Sequence, residues 1–230
     1  MKTAIAVFVK TPGLTPLKTR LAAGIGQDKA NAFYALSVKC IQSELRNVTE
    51  GDDSFHVYWA IAEAEGLTHP WWKGFLTISQ GNGDLGERLH KVYDKLMQNH
   101  DAVLLMGADS PQLSQDVFWE SINRLKEDSS YVIGPALDGG FYLFGGKKEL
   151  PKSFWTSIPY SVENTLSILK RELIAHGKWT ELQSMYDVDQ SCDLWAILSE
   201  LEKSNRGEKQ QLAAWVKGLQ NHLKEELLCD

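Results

Sequence analysis

Ala102-Val103-Leu104-Leu105-Met106, followed at once by Gly107-Ala108-Asp109-Ser110-Pro111, is the stretch from which the fold can be read. Its apolar run has strand length and no polar face, so it must be covered on both sides, as in a parallel sheet with helices above and below. The residues after it supply a turn and a carboxylate. An aspartate at the end of such a strand projects a hard oxygen into the crevice where open α/β sheets bind ligands, and it suits Mg²⁺ or Mn²⁺ better than zinc. The alternative is that Asp109 caps a helix ahead of Pro111.

Working outward, short apolar runs alternate with longer helical patterns. Strands are expected at Thr3 to Val9, Phe55 to Ile61, Phe75 to Ser79, Tyr131 to Ala136 and Phe141 to Phe144. Helices are expected at Gln27 to Asn47, Asp84 to Gln98, Leu113 to Lys126, Ser161 to His176, Ser191 to Lys203 and Glu208 to Leu228, with Ser161 as a cap and Gly177 as a stop. The alternation implies an α/β protein, a three-layer sandwich around a mostly parallel mixed sheet. Residues 1–230 read as one domain, with 205–230 a C-terminal helical extension.

Composition excludes several classes. The 230 residues carry 24 Lys+Arg against 30 Asp+Glu, a net charge of −6, and are 43% hydrophobic, which rules out a disordered chain. The acidic balance argues against a nucleic-acid partner. There is no apolar run long enough to span a membrane, and the opening strand reaches Lys10 before it can serve as an export signal, so a cytoplasmic protein is expected. Cys40, Cys192 and Cys229 form no Cys-x-x-Cys pair, and the six histidines show no His-x-x-x-His spacing. The aromatic content permits a homodimer without requiring one.

Four further segments sit where ligands are expected. The loop Lys10-Thr11-Pro12-Gly13-Leu14-Thr15-Pro16-Leu17-Lys18-Thr19-Arg20 follows the first strand, and its cations Lys10, Lys18 and Arg20 with the flexible Gly13 can surround phosphate oxygens. An ordinary solvated loop would look the same. Tyr186-Asp187-Val188-Asp189 puts two carboxylates on one face of an extended segment, where Asp187 or Asp189 can join Asp109 around a metal or Asp189 can cap the next helix. Gly83-Asp84-Leu85-Gly86-Glu87-Arg88 and Asp138-Gly139-Gly140 combine glycines that admit a ligand with Asp84, Arg88 and Asp138 to contact it, although turn chemistry also explains the glycines.

Taken in order, these segments, with Ile158-Pro159-Tyr160-Ser161, resemble the DUF2064 proteins. Those fall in the nucleotide-diphospho-sugar transferase superfamily (glycosyltransferase A fold) and are similar to the phospholactate guanylyltransferases. The resemblance runs from the first strand to about Leu198. It implies a Rossmann-like domain that takes a nucleotide or nucleotide sugar, a small acceptor and Mg²⁺ (or Mn²⁺). The segment from Lys10 to Arg20 matches the phosphate and nucleotide loop, with Gly83, Asp84, Arg88, Gly139 and Gly140 as further binding positions. Asp109 matches the metal-binding Asp of an Asp-x-Asp-like motif, and Asp187 or Asp189 the second acidic contribution. Lys18, Arg20, Asp109 and Asp138 form the expected catalytic set. Two departures stand out: the Gly-Gly-x-Gly-x-Arg opening of the sugar nucleotidyltransferases is absent, and Gly107-Ala108-Asp109 offers one carboxylate where many glycosyltransferases offer two. The expected activity is metal-dependent nucleotidyl or glycosyl transfer, the alternative being a non-catalytic nucleotide-binding or regulatory module.

Overall fold

A computed structural model of the chain describes residues 1–50 and 52–228. The strands are β1 (Thr3–Val9), β2 (Phe55–Ile61), β3 (Leu76–Ser79), β4 (Ala102–Met106), β5 (Tyr131–Pro135), β6 (Phe141–Gly146) and β7 (Trp179–Glu181). The helices are α1 (Thr19–Ile25), α2 (Gln27–Thr49), α3 (Leu85–Met97), α4 (Gln115–Lys126), α5 (Lys152–Ser157), α6 (Thr165–Leu173), α7 (Asp193–Lys203) and α8 (Gly207–Leu228).

The strands form one sheet in the order β3-β2-β1-β4-β6-β5-β7. β6 runs antiparallel to both of its neighbours, and the other pairs are parallel. Strand alternation assigns the two faces. Ile5, Val7 and Val9 of β1 point with Leu104 and Met106 of β4 toward α2 and α4, whereas Ala4, Ala6, Val103 and Leu105 point toward α3, α5 and α6. β4 is fully buried, as its uninterrupted apolar run requires.

α2 is buried on two sides. Tyr34, Val38, Ile41 and Leu45 face the sheet, while Ala30, Phe33 and Cys40 face Leu194, Ile197 and Leu201 of α7 and Leu212 and Val216 of α8. The last two helices therefore add a layer behind α2. They are fixed by a buried ion pair, Lys209 Nζ to Glu44 Oε1 at 2.7 Å, with side chains 2% and 3% exposed. Lys209 also donates to the Gln112 and Leu113 carbonyls at 3.1 and 2.7 Å, and Glu44 accepts from the Gln115 amide at 2.9 Å. Cys192 is exposed; Cys229 lies outside the described residues. No helix among the described residues is long and apolar enough to cross a membrane.

Sequence reasoning misplaced the start of α6 and missed α1, α5 and β7, reading the residues up to Arg20 as a loop where α1 begins at Thr19. Ser161 does not cap: it sits at φ 62, and the helix begins at Thr165, whose hydroxyl donates to the carbonyls of Pro159 (2.7 Å) and Val162 (2.8 Å). The helix also ends earlier than expected, at Leu173 rather than His176. α5 and β7 span six and three residues, too short to show a period.

Lys209→Met is expected to lower stability by about 3 kcal/mol, the low end for a broken buried pair, because Glu44 keeps only the Arg206 guanidinium, 3.9 Å away, to offset its charge. In a thermal melt that is on the order of 10 °C. Pairing it with Glu44→Leu should recover much of the loss, and the absence of recovery would show that the pair does more than neutralise itself.

Candidate functional site

The order of the sheet locates the site. From β1 the chain proceeds outward to β2 and β3, whereas β4 starts the other half, so the crevice between β1 and β4 is the topological switch point. Val7 lies opposite Met106, so Lys10 and Asp109, three residues further along each strand direction, emerge from the sheet edge together. A cavity of about 1090 Å³ opens there.

Its centre is the ammonium of Lys18. This side chain is only 6% exposed, and its Nζ stands 2.8 Å from Asp109 Oδ1 and 3.6 Å from Asp189 Oδ1. It donates to the carbonyl of Val188 and lies 5.9 Å from the centre of the Phe33 ring. Lys18 has a left-handed backbone (φ 47, ψ 46), a conformation costing roughly 1 to 2 kcal/mol for a residue with a Cβ. Arg20 approaches Asp189 Oδ2 from outside at 3.3 Å.

The capping alternatives are resolved by these contacts. Asp193, not Asp189, caps the turn before α7, accepting from the amides of Asp189 (3.0 Å) and Gln190 (2.7 Å). Ser114 occupies the N-cap position of α4, leaving the Asp109 carboxylate to Lys18. Asp187 accepts a hydrogen bond from Ser110 on the same cavity wall. Burial pushes the Asp187 carboxyl up to about 7; the Ser110 bond opposes the rise, and Asp109 and Asp138 add to it. The two strand-end segments are joined where the Val188 amide donates to the Asp109 carbonyl at 3.0 Å.

The remaining expected residues divide. Lys10, Gly83 and Arg88 line the cavity, as do Asp138 and Gly140. Gly13, Asp84 and Gly139 lie outside its lining. Gly13 serves a turn at φ 87. Asp84 caps α3, accepting from the Glu87 amide at 2.9 Å. At Gly139 (φ 91) a Cβ would come within 1.9 Å of the Glu163 carbonyl oxygen, so close packing of two loops requires the glycine. Asp138 accepts from the Gly140 amide at 2.9 Å.

Two residues that shape the site escaped the sequence reading. Glu63, beyond the end of β2, accepts from the Thr11 amide at 2.8 Å and from the Thr15 hydroxyl, holding both ends of the loop after β1. Burial opposes its ionisation, but the bonds from Thr15 and Thr11 outweigh it and hold the carboxyl below its usual range. Tyr34 of α2 donates to the Lys10 carbonyl at 2.8 Å and accepts from the Lys10 amide at 3.0 Å.

Among the described residues no group of three or more His, Cys, Asp or Glu side chains is placed to hold a metal ion. Two carboxylate oxygens nevertheless converge on one point, the Lys18 ammonium. A convergent pair of this kind suits Mg²⁺, which takes one or two carboxylates and completes its shell with substrate phosphates and water.

Comparison with known proteins places this arrangement in the class of nucleotide-diphospho-sugar transferase-like folds. A structure from Desulfovibrio desulfuricans, provisionally named a nucleotide-diphospho-sugar transferase, superposes with a TM-score of 0.82 at 26% identity over 95% of this chain and 96% of its own. A cytidylyltransferase from Leptospira borgpetersenii shares the fold at a TM-score of 0.54 and 14% identity, over 97% of this chain and 96% of its own. The 4-diphosphocytidyl-2C-methyl-D-erythritol synthase of Anaerococcus prevotii does so at 0.55 and 13%, over 87% and 98%. No curated protein matches the sequence. The chain belongs to the DUF2064 family, described as uncharacterized proteins conserved in bacteria, whose model matches residues 45–162. That span includes Asp109 and Asp138 but neither Lys18 nor Asp189.

Two outcomes check the geometry. Glu63→Ala should speed amide exchange across residues 11–18 by about tenfold, the equivalent of about 1.4 kcal/mol of lost hydrogen bonding, while β4 stays protected; unchanged exchange would mean that the loop does not depend on Glu63. For Asp187 the folded pKa of about 7 lies above the usual carboxylate value of roughly 3.9, so the folded protein retains a proton that the unfolded chain releases. Stability is then lost as pH rises from about 4 to about 7. Asp187→Asn should melt a few degrees above the wild type at pH 8 in EDTA, and the difference should vanish near pH 4.

Proposed function

We propose that the protein is a Mg²⁺-dependent transferase that moves a nucleotidyl group from a nucleoside triphosphate to a small acceptor. The observation that carries this reading is the convergence of Asp109 and Asp189 at the switch point on the position held by the Lys18 ammonium, with Arg20 beside Asp189. The similarity to the Desulfovibrio protein supports a transferase. Bound there by Asp109 and one of Asp187 or Asp189, Mg²⁺ would neutralise phosphate charge.

The chain's own residues account for the rest. Lys18 is tethered to Asp109 and Asp189; substrate phosphates would offer its ammonium a stronger set of oxygens, and the two carboxylates would then be the groups to hold a divalent ion. Arg20, more than half exposed, remains beside the phosphates to neutralise charge developing on departing pyrophosphate. Lys10 adds a second exposed cation whose backbone Tyr34 has fixed. An ionised acceptor phosphate attacks the α-phosphorus in line without a strong base, in keeping with a cavity lined by neither His nor Cys among the described residues. Asp138 supports a second reading, in which the donor is a nucleotide sugar: its carboxylate faces the same cavity and can take the proton of an acceptor hydroxyl.

A thermal-shift screen of nucleoside triphosphates and nucleotide sugars, with Mg²⁺ or EDTA, tests the proposal. A ligand at 100 times its dissociation constant adds about 2.7 kcal/mol, roughly 5 to 10 °C here. Asp109→Asn should stay folded and lose the metal-dependent part of the shift, and Lys18→Ala should weaken triphosphates more than nucleosides. A shift as large in EDTA as in Mg²⁺ would sink the metal assignment, and a response confined to nucleotide sugars would select glycosyl transfer.

A further inference from the structure

We propose that one wall of the cavity is an acceptor subsite for an anionic-headed amphiphile, a molecule with an apolar body, rather than for a wholly polar metabolite. The inference rests on the transferase reading above and gives its acceptor a chemical class.

Eight large apolar side chains among the described residues are substantially exposed, and four of them, Leu85 (42%), Leu137 (55%), Val162 (45%) and Tyr186 (39%), line this one cavity. Scattered apolar side chains are ordinary on a protein surface, but convergence of half of them on one concavity marks a binding surface. They come from four separate segments: the first turn of α3, the β5–β6 connection, the approach to α6 and the approach to Asp187. Phe141 and Tyr160, with ring centres 6.4 Å apart, extend the same lining.

The wall is built rather than loose. The Leu137 amide donates to the Met185 carbonyl at 3.0 Å, and the Leu166 amide to the Gly139 carbonyl at 2.8 Å. The Tyr160 hydroxyl donates to the Trp155 carbonyl at 3.0 Å. Side chains held this way have already lost their backbone freedom, so covering them costs little ordering entropy.

A cation stands next to the hydrocarbon. Arg88 is three residues after Leu85 on α3 and so neighbours it on the helix surface. Its Nε donates to the Gly83 carbonyl at 2.9 Å and one terminal nitrogen to Gln80 Oε1 at 3.4 Å. Among the described residues it has no carboxylate partner, so most of its five donors are left for a phosphate or carboxylate head. The volume of about 1090 Å³ lies at the upper limit of roughly 1000 Å³ for pockets that take one drug-sized ligand, which leaves room for donor and acceptor together.

Calorimetry with n-butyl, n-hexyl and n-octyl phosphate, each below its micelle concentration, tests the subsite. Affinity should tighten about threefold per added methylene in the wild type, somewhat less than full burial of each group would give. The Leu137→Ser/Val162→Ser variant should flatten that series while keeping its nucleotide thermal shift. Arg88→Gln should weaken all three phosphates by a similar factor. Affinity independent of chain length, or a series unchanged in the double variant, would overturn the subsite while a retained nucleotide shift left the transferase reading standing. A chain-length series without any nucleotide shift would keep the apolar wall but overturn the acceptor role. A change in sedimentation of the double variant would reassign the patch to contact with a second copy of the chain.

Discussion

One ammonium holds the site in register. Lys18 is the point where the loop after β1, the turn after β4 and the segment ahead of α7 meet, through Asp109, Asp189 and the Val188 carbonyl. Three stretches of chain far apart in sequence are thereby pinned to within a few ångströms. Lys18 itself is nearly buried, but Asp109 and Asp189 are 41% and 39% exposed, so solvent screens the pairs and the Val188 carbonyl shares in fixing the ammonium. Its left-handed backbone belongs to the same constraint: the turn brings the side chain inward instead of letting it follow α1 into solvent.

The fold was legible because burial leaves a strong mark on sequence. β4 must be apolar on both faces, and its run of Ala102 to Met106 could have no other use; β1 and β2 were equally clear. Asp109 stood out because a carboxylate directly after a fully buried strand has no place in the core, and Lys18 because its loop follows the first strand. What stayed hidden depends on contacts between distant segments. Glu63 reads as one more surface acid until its two oxygens are seen to take Thr11 and Thr15, some fifty residues earlier. Tyr34 reads as a core aromatic until its hydroxyl is seen to close on both backbone groups of Lys10. Ser161 misled for a local reason: its backbone turns into the left-handed region (φ 62), so the chain cannot enter α6 until Thr165.

The layer behind α2 bears on the site indirectly. α7 follows the Asp187–Asp189 segment after a turn of three residues and packs with α8 on the face of α2 turned away from the sheet. The Glu44–Lys209 pair secures α8 to that face, and Lys209 reaches over to the carbonyls of Gln112 and Leu113 just beyond Asp109. The last helices thus brace both acidic segments from behind, though neither contributes a side chain to the Lys18 cluster.

The cavity lining combines charged and exposed apolar side chains, which has a consequence for how it responds to the solution around it. Around Lys18, Arg20 and the aspartates, attraction is coulombic and fades as dissolved ions shorten the screening length. Along Leu85, Leu137 and Val162 it is solvophobic, indifferent to simple salt and strengthened by strongly hydrated anions. The two sets of side chains in one crevice therefore respond differently to ionic conditions, so that their relative pull on charged and on apolar groups is set by the solution as well as by the residues.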